Sequence, residues 1–239
     1  MIPGVPRRRF YFVMGWLAVA IALIGFSRRY LLPMSTGTFE APAIVHFHGI
    51  VTFTWIVFFV AQSWIAMAGR ISVHRRLGLA GVALGTLLVF TATEITILLL
   101  ARGLREGAPA PREFAATLFS IELMVALLFG AAIAQVERPE AHKRLMLLAM
   151  LVILTPALAR IIQLVDGDMS RLMRNDLAGL ASDLLILIPM AYDWRTRGRP
   201  HRVYLVAGGG IVAIQLLTLA LRGTQAWYAA ADRIAGMVG

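Results

Sequence analysis

The chain alternates long apolar runs with short segments that carry most of its charged residues. Seven such runs stand out, at about residues 10–27, 45–69, 77–101, 114–136, 145–165, 177–192 and 203–222. A helix of about 20 apolar residues crosses the hydrocarbon core of a bilayer. The pattern therefore predicts an all-α polytopic membrane bundle of seven transmembrane helices, in which residues 1–239 form a single transmembrane domain.

The first run, the sixth run and the C-terminal segment each need a separate interpretation. The first run follows three arginines, as in a signal peptide, but it lacks a small-residue cleavage site and is interpreted as an uncleaved span. The sixth run is short and contains Asp183 and Pro189, yet polar residues flank both of its ends. Residues 224–238 hold Trp227 and Tyr228 among small and polar residues, which fits either a short interfacial helix or a frayed tail.

Composition supports a membrane protein and excludes several kinds of site. Hydrophobic residues make up 59% of the chain and charged residues 15%, whereas soluble domains carry about 25% charged residues. No cysteine is present, which rules out disulfides, thiolate metal sites and cysteine nucleophiles. The net charge of +10 lies mostly in short loops beside the apolar runs, where anionic lipid headgroups rather than nucleic acid are the expected partners.

Lysine and arginine are unevenly divided between the two ends of the predicted bundle. The N-terminal tail and the loops after the second, fourth and sixth runs hold thirteen of them: Arg7, Arg8, Arg9, Arg70, Arg75, Arg76, Arg138, Lys143, Arg144, Arg195, Arg197, Arg199 and Arg202. The opposite end holds nine, several of them beside acidic residues. The positive-inside rule therefore predicts a cytoplasmic N-terminus and a periplasmic C-terminus. The strong preference for arginine over lysine suggests a bacterial source, so the predicted location is the bacterial inner (cytoplasmic) membrane.

Three loops at the predicted cytoplasmic end share a sequence signature. In each loop an arginine stands four residues before a histidine, and a basic residue follows the histidine directly: Arg70 and His74, Arg138 and His142, Arg197 and His201. Three matches at equivalent places predict three related helix hairpins, formed by spans two and three, four and five, and six and seven. Internal repeats of this kind are common in membrane proteins with a central site.

The loop between the second and third spans also resembles a known group of proteins. It is similar to uncharacterised bacterial multi-pass membrane proteins that carry a His-Arg-x-Leu-Gly signature. The similarity rests on Gln62, Trp64, Gly69, Arg70 and His74 to Gly78. It extends to the run that starts at His142 and covers about residues 46–160. The resemblance implies a multi-pass membrane fold and, because no activity is established for that group, no particular chemistry.

The loop histidines admit two interpretations. In the first, His74 and His142 anchor helix ends among phosphate headgroups, together with the basic residues beside them. In the second, the same histidines bind haem b or a metal ion through neutral imidazole. The neighbouring cations oppose a bare metal ion more than they oppose haem.

Several polar side chains fall within the predicted spans: His48, Glu94, Glu122, Arg160 and Asp183. Ionisable groups inside a membrane are costly and mark functional sites by default. All five fall in the half of the bundle predicted to face outward, whereas the inner halves of the spans are almost wholly apolar. They predict an outward-facing ligand-binding pocket in which at least three charged groups converge and Arg160 pairs with a carboxylate. The alternative is a set of ion pairs that only hold helices together.

Weaker candidates for a metal site are His46, His48, Glu122 and Asp183. Residues two apart on a helix point about 200° apart, so both histidines cannot face one metal ion within a helix. No catalytic residue is assigned, because the sequence contains no Ser-His-Asp arrangement, phosphate-binding loop or nucleotide motif. A retinal protein is excluded, since the only lysine, Lys143, lies at a span boundary and offers no buried amine.

The sequence leaves three functions open. The first is binding or transport of a small or lipid-like molecule by the outward-facing pocket. The second is an accessory structural subunit of a larger membrane complex, with other membrane proteins as partners. The third is a membrane redox protein that holds haem b or passes electrons to quinone. No motif identifies the protein as an enzyme.

Overall fold

The computed structural model describes residues 9–238, which form ten α-helices and no β-strand. The helices are α1 Phe10–Phe26, α2 Leu32–Ser35, α3 Ala43–Met67, α4 Ile71–Arg105, α5 Pro111–Ala134, α6 Pro139–Ile153, α7 Thr155–Val165, α8 Arg171–Arg197, α9 Arg202–Leu221 and α10 Gln225–Ala235. A π-helical segment, Ser27–Leu31, joins α1 directly to α2. Arg7 and Arg8, two of the basic residues used to predict orientation, lie outside the described residues.

Seven helical stretches are long and apolar enough to cross a membrane, which confirms the predicted bundle. α1 with α2 and α6 with α7 each form one stretch, and α3, α4, α5, α8 and α9 form the others. Several helices extend beyond their apolar runs; α4 contains 35 residues and α8 contains 27. The runs underestimate these lengths because charged side chains at helix ends can reach the headgroup region while the backbone stays helical.

The stretch formed by α6 and α7 lies at the centre of the bundle. It contacts α1, α5, α8 and α9, and its side chains from Leu147 to Val152 are at most 2% exposed. The outer surface is also apolar: Leu79 on α4 and Val206 on α9 are 77% and 76% exposed. A helical bundle with apolar side chains on both its inside and its outside is suited to hydrocarbon as its solvent.

Glycine allows helices to approach closely at two crossings. A Cβ atom on Gly25 of α1 would lie 2.5 Å from the backbone oxygen of Ala157 in α7. A Cβ atom on Gly85 of α4 would lie 2.6 Å from the Phe129 ring and 2.7 Å from the Trp55 ring, and these two rings pack edge to face. Small residues at such crossings are typical of membrane helices, which associate by close packing.

The C-terminal segment forms a helix docked on the bundle, so the frayed-tail alternative is wrong. Trp227 Nε1 donates to the carbonyl oxygen of Arg112 at 2.8 Å, and the Tyr228 hydroxyl donates to Glu113. Arg112 in turn pairs with Asp232 at 2.8 Å. These contacts hold α10 against the beginning of α5, and α10 also contacts α4.

Candidate functional site

The central helical stretch is broken between α6 and α7. Pro156 has no backbone N–H, so the carbonyl oxygen of Val152 loses its helical partner. The Thr155 hydroxyl donates to that oxygen at 2.8 Å, and the Ser182 hydroxyl of α8 donates to the carbonyl oxygen of Leu151 at 2.9 Å. The Thr155 hydroxyl thus replaces the missing backbone donor at Val152, and Ser182 adds a second donor to the Leu151 carbonyl oxygen, which also accepts the backbone N–H of Leu154.

Arg160 lies one turn beyond this break and has no acidic partner. Its Nη1 atom donates to the carbonyl oxygen of Pro156 at 2.8 Å, and its Cζ atom lies 4.4 Å from the centroid of the Phe26 ring. No carboxylate of residues 9–238 lies within ion-pair distance of its guanidinium group. The expectation that Arg160 pairs with an acid is therefore wrong, because Glu122 and Asp183 have partners elsewhere in the bundle and Glu94 is exposed.

The charged neighbours of Arg160 are themselves arginines. Arg29 of the π-helical segment and Arg171 at the start of α8 repel it electrostatically, and no acidic residue offsets them. The Cζ atom of Arg171 lies 4.9 Å from the centroid of the Phe114 ring. We call Arg29, Arg160 and Arg171 the arginine cluster. In this cluster, Arg160 of α7 is exposed to positive charge from the π-helical segment and from α8.

His48 of α3 is the predicted site residue that lies close enough to Arg160 to interact with it electrostatically. The Nδ1 atom of its ring shares a hydrogen bond with the Thr91 hydroxyl at 2.9 Å, and Nε2 shares one with the Thr52 hydroxyl at 3.2 Å. Both ring nitrogens are therefore engaged with hydroxyl groups of α3 and α4. His48 provides a fixed polar neighbour to the arginine cluster.

The three predicted carboxylates lie elsewhere. Glu122 of α5 shares hydrogen bonds with two threonine hydroxyls of α4, and Asp183 of α8 accepts one from Gln215 of α9 at 3.2 Å. Glu94 of α4 is exposed on the surface of the bundle. Among residues 9–238, the predicted convergence of three charged groups is therefore not found, because Glu122 faces α4, Asp183 faces α9 and Glu94 faces outward.

The best-formed clefts of the described chain do not coincide with these polar groups. Two clefts, of about 350 and 200 Å³, are lined by apolar side chains. Phe12, Trp16 and Trp64 line the larger cleft, and Met124 and Ile211 line the smaller one. The arginine cluster is thus a charged region between packed helices, and an open polar pocket around it stays a prediction.

The structure does not bring together the four weaker metal candidates: His46, His48, Glu122 and Asp183. His46 packs against the rings of Tyr30 and Phe39, whereas the ring of His48 contacts Thr91 of α4. No group of three or more His, Asp or Glu side chains within residues 9–238 is placed to hold a metal ion. The two histidines are separated in the way that their spacing in a helix predicts.

At the predicted cytoplasmic end, His74 and His142 lie side by side, with 6.3 Å between their ring centroids. The Nδ1 atom of His74 donates to the carbonyl oxygen of Gln62 at 3.3 Å, and Nδ1 of His142 donates to that of Ala132 at 2.9 Å. Because a carbonyl oxygen only accepts hydrogen bonds, both rings carry a proton on Nδ1, and the neutral rings keep a lone pair on Nε2. The two histidines, which we call the histidine pair, thus bind the preceding helix in the same way.

Sequence reasoning missed a buried ion pair at the same end of the bundle. Arg144 Nε and Nη2 donate to the two carboxylate oxygens of Asp193, at 2.8 and 2.6 Å. The two side chains are 2% and 1% exposed. The sequence predicts Arg144 among lipid headgroups, and this expectation is wrong because the side chain is buried within the bundle. The packing of α6 against α8 buries the two charges together and satisfies them mutually.

Glu140 connects this ion pair to the surface. Its carboxylate accepts from Arg144 Nη1 at 2.8 Å and from Lys143 Nζ at 2.5 Å, and it also pairs with Arg197. Glu140 and Arg144 are four residues apart on one helix, a spacing that brings their side chains together and that the sequence already displays. Asp193 carries no such signal, because it is 49 residues from Arg144 and meets it only through tertiary packing.

His201, the third loop histidine, differs from the histidine pair. It stands before the first residue of α9, where its Nδ1 atom accepts a hydrogen bond from the backbone N–H of Val203 at 3.2 Å. Its own backbone N–H donates to Asp193 at 3.2 Å. Burial lowers the pKa of His201, and the positive charges of Arg144 and Arg197 lower it further, while two nearby carboxylates oppose this shift. His201 therefore caps a helix as a neutral ring.

Comparison of the chain with protein families, curated proteins and solved structures finds no match. Function is therefore inferred from the contacts, burial and charge of the described residues. The arginine cluster has charge that no acid balances, and the histidine pair has two nitrogen lone pairs without a hydrogen-bond partner among those residues.

Proposed function

We propose that the protein binds or transports a small or lipid-like anion at the arginine cluster of its membrane bundle. Its membrane character rests on the seven apolar helical stretches. The observation that carries the proposal is that Arg160 has no carboxylate partner among residues 9–238. A charge removed from water without a counter-ion is strongly unfavourable, and an anionic ligand supplies that counter-ion.

The chemistry of arginine favours a carboxylate or a phosphate group as the ligand. A guanidinium group offers five N–H donors in one plane, and a single donor atom of Arg160 binds a protein carbonyl oxygen. The remaining donors match two oxygen atoms of one anion. Arg29 and Arg171 strengthen the attraction for negative charge without competing for the same carbonyl group.

The backbone near Arg160 supports the same proposal. Transporters commonly place their sites where transmembrane helices are discontinuous, and Arg160 follows the break between α6 and α7. Arg29 lies in a π-helical segment, which is a frequent feature of functional sites. With a cytoplasmic N-terminus, as the charge bias predicts, the arginine cluster lies on the periplasmic side.

The substitution Arg160→Met separates a ligand role from a structural role. A structural ion pair loses stability when one partner is removed. An uncompensated ligand site does the opposite: Arg160→Met is expected to raise the unfolding temperature of the empty protein and to abolish stabilisation by added anions. The measurement is thermal unfolding in phosphatidylcholine nanodiscs, with inorganic phosphate or acetate compared against chloride at equal ionic strength.

Arg102→Met is the matched control, because Arg102 is exposed at the same end of the bundle and pairs with Glu106 on its own helix. Loss of a charge-assisted hydrogen bond of about 1.5–3 kcal/mol weakens anion binding roughly ten- to a hundredfold. We expect that loss in Arg160→Met and not in Arg102→Met. Stabilisation by phosphatidylglycerol but not by free anions identifies a lipid ligand. Equal responses of both variants to every anion would contradict the proposal.

A second candidate function, membrane redox chemistry, is favoured by the histidine pair. A metal-binding histidine typically donates its other ring N–H to a carbonyl or carboxylate oxygen, as His74 and His142 do through Nδ1. Two metal–imidazole bonds of about 2.0–2.1 Å place the donor nitrogens about 4 Å apart. The separation of 6.3 Å between the ring centroids is compatible with such an arrangement.

An absorption spectrum and a metal analysis of the purified protein test this second function. A Soret band or a stoichiometric metal that is lost in both His74→Gln and His142→Gln supports it. His46→Gln is the control, because His46 lies among aromatic rings at the opposite end of the bundle. A colourless, metal-free protein purified from iron- and copper-supplemented cells would exclude the proposed redox function.

A further inference from the structure

Glu122 is a membrane-embedded carboxylate whose polar contacts are all hydroxyl groups. It lies on α5, is 9% exposed, and faces α4. The Thr96 hydroxyl donates to Oε1 at 2.5 Å, and the Thr93 hydroxyl lies 2.9 Å from Oε2. No Arg, Lys or His of residues 9–238 pairs with it. Nothing nearby therefore neutralises a negative charge on this side chain.

The hydrogen bonds around Glu122 fit a protonated carboxyl group better than an ionised one. The Thr93 hydroxyl lies 3.0 Å from the carbonyl oxygen of Val89 as well as 2.9 Å from Oε2, yet it has one hydrogen to donate. When Oε2 carries a proton, it donates to Thr93, and Thr93 donates to Val89. Thr96 continues to donate to Oε1, so every contact becomes a hydrogen bond. When Glu122 is ionised, Thr93 must give up one of its two acceptors.

The other titratable groups on the helices around Glu122 do not balance a negative charge on its carboxylate. Glu94 of α4 is exposed on the surface of the bundle, and Asp183 of α8 accepts a hydrogen bond from Gln215. Among the described residues, the groups that interact electrostatically with Arg160 are Arg29, Arg171 and His48, and Glu122 is not one of them. Only protonation of its own carboxylate therefore neutralises Glu122.

We propose that Glu122, with Thr93 and Thr96, forms a proton-binding site that fills and empties within the membrane. Filling adds one hydrogen to Oε2 and removes one negative charge. The proton comes from bulk water, and on release it returns to water. Protonated glutamic acids flanked by hydroxyl donors suit proton relays in membrane proteins, because the neutral form is compatible with hydrocarbon.

Infrared spectroscopy of the protein in phosphatidylcholine vesicles tests the proton site without any ligand. Because every carboxyl group is protonated at low pH, the signal of Glu122 is the difference between the spectra of the wild type and Glu122→Gln. We expect this difference to contain a carboxylic C=O band, shifted in D2O, with an amplitude of one group per protein, that disappears with a one-proton titration as the pH rises. Glu94→Gln is the matched control and should retain it. Glu122→Gln preserves the fold, because its amide can donate to Thr93 and accept from Thr96.

Three results would overturn the proton site. The first is a Glu122 band that is absent at every pH, which means a permanent carboxylate. The second is a band that never titrates, which means a fixed structural hydrogen bond. The third is loss of the band when Na⁺ is added at constant pH, which makes the site a cation site. Thr93→Val provides a second variant, since it removes one hydroxyl partner and should shift the titration while the band remains.

The proton site does not depend on the proposed anion site, and the two experiments can fail separately. If Arg160→Met leaves anion binding intact while the infrared titration is normal, the proposed anion site fails and the proton site stands.

Discussion

Arg144 and Asp193 are joined by two hydrogen bonds, of 2.8 and 2.6 Å, while neither side chain is more than 2% exposed. They come from α6 and α8, and Asp193 also accepts the backbone N–H of His201 at the start of α9. One carboxylate therefore connects three helices at the predicted cytoplasmic end. Such a pair is difficult to break, because removal of one partner leaves the other charge buried without compensation.

Loss of either partner of this pair is expected to be more damaging than loss of both. Arg144→Met or Asp193→Leu alone should lower the free energy of unfolding by about 3–5 kcal/mol, whereas the double variant should lose less than the more damaging single change. Denaturant unfolding in lipid–detergent micelles measures this. Lys143→Met is the control, since its partly exposed pair with Glu140 is worth about 0–1 kcal/mol. Additive losses in the double variant would show that the two residues act independently.

The crossing of α1 and α7 should not tolerate a side chain at Gly25. The Cβ atom of Gly25→Ala would meet the backbone oxygen of Ala157 at 2.5 Å, and a backbone atom cannot rotate away. We expect a loss of about 1–3 kcal/mol in the free energy of unfolding. Gly209→Ala on α9 is the matched control, because no atom lies within 4 Å of its Cβ position. Because alanine has a higher helix propensity than glycine, Gly209→Ala should leave the free energy of unfolding unchanged or raise it by up to about 1 kcal/mol.

Acidification should loosen the beginning of α9. The pKa of His201 in the folded protein lies below its ordinary value, mainly because of burial, so the unfolded chain takes up a proton first as the pH falls. The stabilisation by neutral His201 is complete above about pH 6.5 and is lost as the pH falls through the lower folded pKa. Hydrogen-exchange protection of residues 203–206, corrected for the intrinsic effect of pH, should therefore drop on acidification.

The variant His201→Asn isolates the contribution of His201 to that pH dependence. Asparagine can accept the same capping hydrogen bond from Val203 but does not titrate. Protection at the beginning of α9 should then be the same on both sides of about pH 6.5. An undiminished loss of protection in His201→Asn would assign the effect to another group.

Membrane orientation is predicted from the distribution of arginine and lysine. A reporter fused after Gly239 is expected to be periplasmic, and one inserted after Gly198, between α8 and α9, is expected to be cytoplasmic. The opposite result at both positions would reverse the bundle. The arginine cluster and Glu122 would then lie nearer to the cytoplasmic side.

The spans were predictable because each is a long apolar run, whereas their ends were not. The apolar run of residues 177–192 understates α8, which starts at Arg171 and ends at Arg197. Asp176 near its start pairs with Arg222, and Asp193 near its end pairs with Arg144. Charges that meet across helices extend a helix beyond the hydrophobic window, and a hydropathy pattern does not register such pairing.

The candidate site was predicted in composition but not in arrangement. Arg160, Glu122 and Asp183 all lie within spans, as the sequence indicates, yet they contact different helices. Depth follows from position along a helix, since each residue adds about 1.5 Å. Direction depends on the rotation of each helix against its neighbours, which is set by close contacts such as that between Gly25 and Ala157. A single sequence therefore indicates the depth of a side chain but not its direction.

The interruption at Leu154 divides the central helix into two parts that are held differently. α6 is fixed at its base by the contact of Arg144 with Asp193, while α7 carries Arg160 beyond a proline that interrupts the backbone hydrogen bonds. Helices bend at prolines and where side chains bond to the backbone. The two halves also pack on different neighbours, α6 mainly on α5 and α7 mainly on α1 and α8. Arg160 and the ion pair of Arg144 are therefore anchored independently, on opposite sides of the interruption.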